Sequence, residues 1–265
     1  VIKCPNKQHL LKVKVIEGII NKGESIIATV NEEIRNQTTK NHSATHILQK
    51  TLQDLLGNTV HQAGSKVDQS TFRFDFTYRG KLSDKLIIDI ERKANEKLST
   101  AIKTKIEYMP LEDAKQKGAM ALFEDKYDDI VRVVSIGDSI ELCGGTHVKN
   151  IKDIGKIAIL KIENKGSDTY RIEGTTDNSI ESELKKVTKP YTDEITKLLE
   201  KSKKLVMQAK EENVKCCFDF DIEFQVLDSY ADVVYYKEQL ERLKISTKKL
   251  EKNVNEEITH KSLEK

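Results

Sequence analysis

E-L-C-G-G-T-H-V, residues 141–148, sets a thiol and an imidazole four positions apart across two glycines. The chain has only four cysteines, and an ordinary core has no need of one in such a turn. An earlier stretch, N-H-S-A-T-H (41–46), carries His42 and His46, also four apart. On a helix these two stand one turn above the other on a single face. Gly144 and Gly145 leave the backbone free to fold sharply, so that Cys143 and His147 converge. His-x3-His with Cys-x3-His is a donor set that zinc favours, whereas magnesium and calcium take oxygen. Satisfied polar groups in a core are the other account of the same residues. Spacing alone does not bring together two pairs that stand 97 residues apart.

Working outward, N-H-S-A-T-H-I-L-Q-K-T-L-Q-D-L-L-G reads as a helix. Its apolar face is Ala44, Ile47, Leu48, Leu52, Leu55 and Leu56, and Gly57-Asn58 closes it. T-F-R-F-D-F-T-Y reads as a half-buried strand with Phe72, Phe74 and Phe76 on one side. A helix begins near Ser83, with Leu86, Ile90, Ala94, Leu98 and Ile102 on its apolar face. A strand at about 104–109 and a short helix after Pro110 follow, then strands at 130–136, 139–143, 155–163 and 169–176. Residues 38–178 therefore read as one α+β domain, helices packed on a mainly antiparallel sheet. Before it, residues 1–37 read as the end of a small β unit, with strands in L-L-K-V-K-V-I and S-I-I-A-T-V.

Residues 179–265 read as a helical arm. The first helix restarts or kinks at Pro190, an extended connector covers 214–227, and a second helix carries Leu240, Leu243, Leu250, Val254 and Ile258 in a narrow stripe. The arm is either an antiparallel coiled coil, which could join two copies as a homodimer, or a solvated linker held by charge pairs four residues apart. Lys201, Lys203, Lys204, Lys248, Lys249 and Lys252 are either an RNA-facing surface or the wet side of these helices.

Composition narrows the class. Of 265 residues 33% are charged, yet the formal net charge is +2, which excludes a strongly basic nucleic-acid module but not local lysine patches. Cys4, Cys143, Cys216 and Cys217 have no framework spacing, so reduced thiols in a cytoplasmic compartment are expected. No signal peptide and no apolar run of membrane-spanning length is present, and no membrane partner is expected. No Walker loop, Rossmann glycine fingerprint or Ser-His-Asp pattern offers another chemistry. The chain opens without Met and reads as a fragment of something longer.

In order along the chain, N-H-S-A-T-H-I-L, V-H-Q-A-G-S-K-V, R-F-D-F, G-A-M-A-L-F-E-D-K-Y, V-R-V-V-S, E-L-C-G-G-T-H-V, D-I-G and R-I-E resemble the editing domain of alanyl-tRNA synthetase. Free-standing alanyl-tRNA editing proteins share much of the set. The resemblance covers about residues 10–178, and more loosely the arm. It implies hydrolysis of the aminoacyl ester of alanine tRNA mischarged with serine or glycine, because a small pocket rejects neither strongly enough by binding alone. It implies that His42, His46, Cys143 and His147 hold zinc. It implies that Thr45 takes part in recognising the wrong amino acid and that Gln62 is needed for editing. Backbone N–H groups near Gly144 and Gly145 would stabilise the developing oxyanion, and zinc would hold the substrate or a water.

Two positions depart from the family pattern. Glu124 stands where a glycine is usual, and Tyr170 stands where an arginine is. The ATP-using aminoacylation part of a ligase is not visible in this stretch, so an excised editing piece is expected, with a free-standing editor as its rival. A structural zinc in an RNA-binding module and the threonyl-tRNA synthetase editing domain are the readings from further afield. The Gly-Gly-Thr-His turn favours the alanyl branch.

Overall fold

The computed structural model describes residues 2–3, 9–120 and 128–263. Cys4 and the stretch 121–127, which includes Glu124, lie outside the described residues. The chain divides into two units, Val1–Glu32 and Glu33–Lys265. In the first, β1 (Ile2–Lys3) pairs antiparallel with β2 (His9–Leu10). The strands expected over 10–16 and 25–30 do not form, and residues 11–31 contain no strand. Alternation makes a strand only where a neighbour takes its backbone hydrogen bonds. Here Val13, Ile16 and Ile27 stay exposed.

The second unit is α+β. Its elements are α1 (Glu32–Leu56), β3 (Gln62–Val67), β4 (Phe72–Thr77), α2 (Asp84–Leu98), β5 (Lys105–Pro110), α3 (Leu111–Gln116), β6 (Ile130–Ile136), β7 (Ser139–Leu142), β8 (Ile157–Gly166), β9 (Thr169–Thr176), α4 (Ile180–Glu211) and α5 (Tyr230–Leu263). One antiparallel sheet has the order β3-β4-β9-β8 and a second the order β5-β6-β7. The core is as the apolar spacing requires: Ala44, Ile47, Leu48 and Leu52 of α1, the three phenylalanines of β4, and Ile90 and Ala94 of α2 are all buried. Each phenylalanine contributes about 2–3 kcal/mol by leaving water. Gly174 of β9 faces Phe72, and a Cβ there would lie 2.4 Å from the ring. Leu55 departs from the expected face and is exposed. Ile102 lies past the end of α2, half-buried. β3, Q-A-G-S-K-V, has no apolar alternation to announce it in the sequence.

The free edge of β8 is closed by side chains. Asn95 of α2 donates to the Ile157 carbonyl at 2.8 Å and accepts from the Ile157 amide at 2.9 Å. Glu91, one turn earlier, accepts from the Ile159 amide at 2.6 Å. Two side chains thus do for this edge what a further strand would do. The carboxylate of Glu91 also accepts from the Tyr230 amide at the start of α5, and the Tyr230 hydroxyl donates to Asp84. The root of the arm is tied here to the domain core, with Leu227, Tyr230, Val233 and Tyr236 buried in the same cluster as α1 and α2.

The arm departs from the antiparallel coiled coil that is one of its two readings. α4 runs unbroken through Pro190. The ring removes one backbone hydrogen bond, while Leu184, Thr188 and Ile195 stay buried on either side of it and hold the helix against its neighbours. α4 and α5 are parallel, not antiparallel: Lys244 meets Glu194, Ser202 meets Thr247, Lys201 meets Glu251, and Lys261 reaches the Glu212 carbonyl. From Glu194–Lys244 at one end to Glu212–Lys261 at the other both numbers rise. The 18 residues between the helices explain this. Extended, they span up to about 60 Å, enough to run back along a helix of about 48 Å. Val214, Cys216, Phe218, Phe220 and Ile222 turn inward, and the residues between them are exposed. Among the lysines read as either an RNA-facing surface or the wet side of the helices, Lys201 and Lys252 are in ion pairs with Glu251 and Glu256. No helix among the described residues is long and apolar enough to cross a membrane.

Burial pushes the Glu91 carboxyl up to about 7, against the two backbone N–H groups and the Lys156 charge that pull it down. A carboxyl raised in the folded state favours folding below its free value of about 4.3 and loses that contribution as pH rises through 7. The melting temperature should therefore fall between pH 5 and pH 8, and Glu91→Gln should flatten that slope. Circular dichroism melts of both proteins across this range check it; equal slopes would exclude Glu91 as the group.

Candidate metal centre

Half of the centre rides on α1. Asn41 donates to the Asp68 carbonyl at 3.0 Å and accepts from the Thr176 hydroxyl at 2.7 Å. Gln37 donates to the Thr176 carbonyl at 2.8 Å, and Lys40 pairs with Asp177. These contacts fix the helix on the end of β9 just before His42. The other half lies on the turn after β7, tied to the same helix by Thr39 donating to Thr146 at 2.9 Å.

The two pairs meet. One ligand atom from each of His42, His46, Cys143 and His147 lies within 4.8 Å of all the others. Sγ of Cys143 is 3.3 Å from Nε2 of His147 and 3.5 Å from Nε2 of His42. Around a tetrahedral ion bonded at about 2.0–2.3 Å, thiolate and imidazole donors stand about 3.3–3.6 Å apart. The four residues can therefore hold a metal ion.

The outer nitrogens are held as a metal would require. Ser43 has one hydroxyl proton and donates it to the Thr39 carbonyl at 2.9 Å. Its oxygen can then only accept, from the Val148 amide at 3.0 Å and from Nδ1 of His147 at 3.2 Å. His147 so carries its proton on Nδ1 and presents a bare Nε2 to the centre. Nδ1 of His46 is 3.1 Å from Oε1 of Glu141, an ion-pair distance at an angle too poor for an aligned hydrogen bond. Ser139 donates to the same carboxylate oxygen at 2.6 Å.

Charge follows from this packing. Burial raises the Cys143 thiol, but the imidazoles of His147, His42 and His46 around the sulfur outweigh it and bring it down to about 3. Burial lowers His46, but the Glu141 carboxylate and the thiolate raise it to about 9. Burial and the neighbouring imidazoles hold His147 below its ordinary value. The thiolate is thus prepared as a ligand, and an ion binding at the centre displaces the proton on His46.

The glycines do a different task from the expected one. Neither Gly144 nor Gly145 has a left-handed backbone. Gly144 has open space where a Cβ would stand, whereas a Cβ on Gly145 would lie 2.0 Å from Cε1 of His42. Gly145 is there to admit the imidazole. Thr45 is buried and donates to the His42 carbonyl at 2.7 Å, within its own helix. Gln62 opens β3 opposite Phe76, half-buried. Tyr170 stacks on Phe76 and donates to the Gly80 carbonyl at 3.0 Å, so it closes a loop onto the sheet. Ser43 and Glu141 escape a reading from spacing, though both lie inside the two motifs.

Comparison with known proteins follows the same residues. A family model described as "Threonyl and Alanyl tRNA synthetase second additional domain" matches residues 131–173, the stretch that carries Cys143 and His147. Alanine–tRNA ligase of Listeria monocytogenes is 46% identical over 175 residues, that of Bacillus subtilis 45% and that of Geobacillus thermodenitrificans 48%. The chain corresponds to a segment of alanyl-tRNA synthetase. In each case the alignment takes in 66% of this chain and 20% of the ligase. The chain therefore spans about one fifth of the length of the synthetases it matches.

Gly145→Ala should push the His42 ring out of the centre and leave the fold standing, with bound metal lost on elemental analysis. Ser43→Ala should keep the metal but bind it about 10–100-fold more weakly, as competition with a chromogenic chelator would measure.

Proposed function

We propose that this segment is the editing part of an alanine–tRNA ligase, hydrolysing the ester of alanine tRNA mischarged with serine or glycine. The observation that carries the reading is the convergence of four metal donors on two remote motifs in a chain that corresponds to this synthetase. A thiolate and three imidazoles brought to one point form a donor set that fits zinc best. Bound zinc would supply a positive charge that polarises the ester or a water beside it.

The chain's own residues do the rest. The amide of Gln62 orients the reacting group, and backbone N–H groups at Gly144 and Gly145 meet the developing oxyanion. Thr45 spends its proton on the His42 carbonyl, which leaves its oxygen able to accept from a serine hydroxyl. Glu141 and Ser43 hold the imidazoles in register. The partner is the 3′ end of alanine tRNA, the setting is cytoplasmic protein synthesis, and the full ligase joins alanine to that tRNA with ATP. The parallel arm gives no hairpin for a coiled-coil homodimer, and size-exclusion light scattering reads the oligomeric state directly.

A second reading has one observation in its favour. Four protein donors normally mark a closed, structural metal. The two separate in one experiment: alanine tRNA charged with serine is incubated with the chain as purified, after chelation, and after zinc is restored. Editing predicts cleavage that chelation abolishes and zinc returns, and Gln62→Ala should lower it by on the order of 100-fold. Metal bound, fold intact and no cleavage in any arm would leave the structural reading.

A further inference from the structure

The metal turn continues as a row across the second sheet. Tyr108 of β5 stands opposite Arg132 of β6, and Val133 stands opposite Leu142 of β7. One step on, the Cys143 amide donates to the Arg132 carbonyl at 3.2 Å, so Cys143 prolongs β7 opposite Arg132. Opposed residues of an antiparallel sheet share a face. Tyr108 and Arg132 therefore lie on the face that carries Cys143. It is also the face of Glu141, which stands opposite Val134 and contacts His46. Neighbouring strands are about 4.8 Å apart, which puts the Tyr108 backbone about 10 Å from that of Cys143. At its β5 edge this face is bare: Tyr108 is 71% exposed, Ile130 57% and Ile106 45%. Arg132 is half-buried, and its Nη1 donates to the Cys143 carbonyl, which fixes the guanidinium beside the metal turn. No carboxylate among the described residues pairs with it.

An edge strand is ordinarily protected by charge or cover, not left with a bare ring between aliphatic side chains. An exposed aromatic on a sheet face is a stacking platform for an unpaired base. A guanidinium with one N–H committed keeps four donors and its charge for an anion, and a phosphate fits that fork. The substrate of the site has both parts. The scissile ester stands on the terminal ribose, so the base and the 5′-phosphate of that nucleotide each lie one sugar ring from the reacting carbon. Resting on the editing function proposed above, we infer that Tyr108 and Arg132 seat the terminal adenosine of the tRNA. Tyr108 stacks on the adenine. Arg132 holds the 5′-phosphate, and its bond to Cys143 keeps that grip in register with the metal. The row then reads, from the sheet edge inward, base, phosphate and ester.

The test is isothermal titration of the zinc-loaded chain with 3′-seryl-amino-3′-deoxyadenosine, a stable amide, with and without a 5′-phosphate. In the wild-type chain the phosphate should tighten binding by on the order of tenfold, and Arg132→Met should erase that gain. Tyr108→Ala should weaken both compounds by on the order of tenfold, and Tyr108→Phe, which keeps the ring, should restore them. Circular dichroism and metal content establish that each variant is folded and loaded. On alanine tRNA charged with serine, Tyr108→Ala should raise KM and leave kcat nearly unchanged. A wild-type chain that binds neither compound overturns the inference. Equal affinities for wild type and Tyr108→Ala, as on a face kept for a protein partner, overturn the stacking. A wild-type chain indifferent to the 5′-phosphate overturns the assignment of Arg132 without recourse to a variant. Binding that depends on Tyr108 in a chain that cleaves no ester would count against the editing function and not against this seat.

Discussion

Two short segments about a hundred residues apart must be held to within a few tenths of an ångström if four donors are to share one ion. The polar contacts around α1 serve this end. Asn41, Gln37 and Lys40 lock the helix to the end of β9, and Thr39 and Ser43 lock the Cys143–His147 turn to the helix. The hydroxyl of Ser43 acts twice, because the backbone bond from Val148 that positions the turn also leaves it only an accepting role toward His147. Position and protonation state are set by the same atom.

The sheet serves the centre from behind. β4 lies inside its sheet and presents three phenylalanines to the core, while the outer edge of β8 is sealed by Asn95 and Glu91. Closing that edge with side chains lets a helix lie directly against the sheet. It also places a buried carboxylate where α5 begins. Domain and arm root therefore share one core, with Glu91 bonded to both.

Much of this was legible from residues alone. The 3.6-residue spacing of α1 and α2, the alternation of β4, and the strands β6, β7, β8 and β9, paired antiparallel two by two in separate sheets, all survive folding, because burial on one face is what those patterns encode. The donor set was legible because metal chemistry restricts residue types. Four things were not. The apolar alternation over 11–30 has no pairing strand among the described residues. β3 carries small and polar residues, Ala63 to Lys66, that give no two-residue period. The direction of α5 cannot be read from a helical stripe, which looks the same either way, although the length of the connector held the answer. The task of Gly145 depends on a ring from a helix 100 residues away, and no local pattern reports that.

The three-pass arm has a mechanical consequence. A helical hairpin brings its chain back to its root, whereas helix, extended return and parallel helix leave Leu263 at the far tip, about 50 Å out along the axis. Two helices buttressed by an extended segment resist bending better than one, and the root is set in the domain core. The arm is a strut and not a tether. A sideways load at the tip arrives as torque on Tyr230 and Glu91, hence on β8 and the sheet that backs the metal centre.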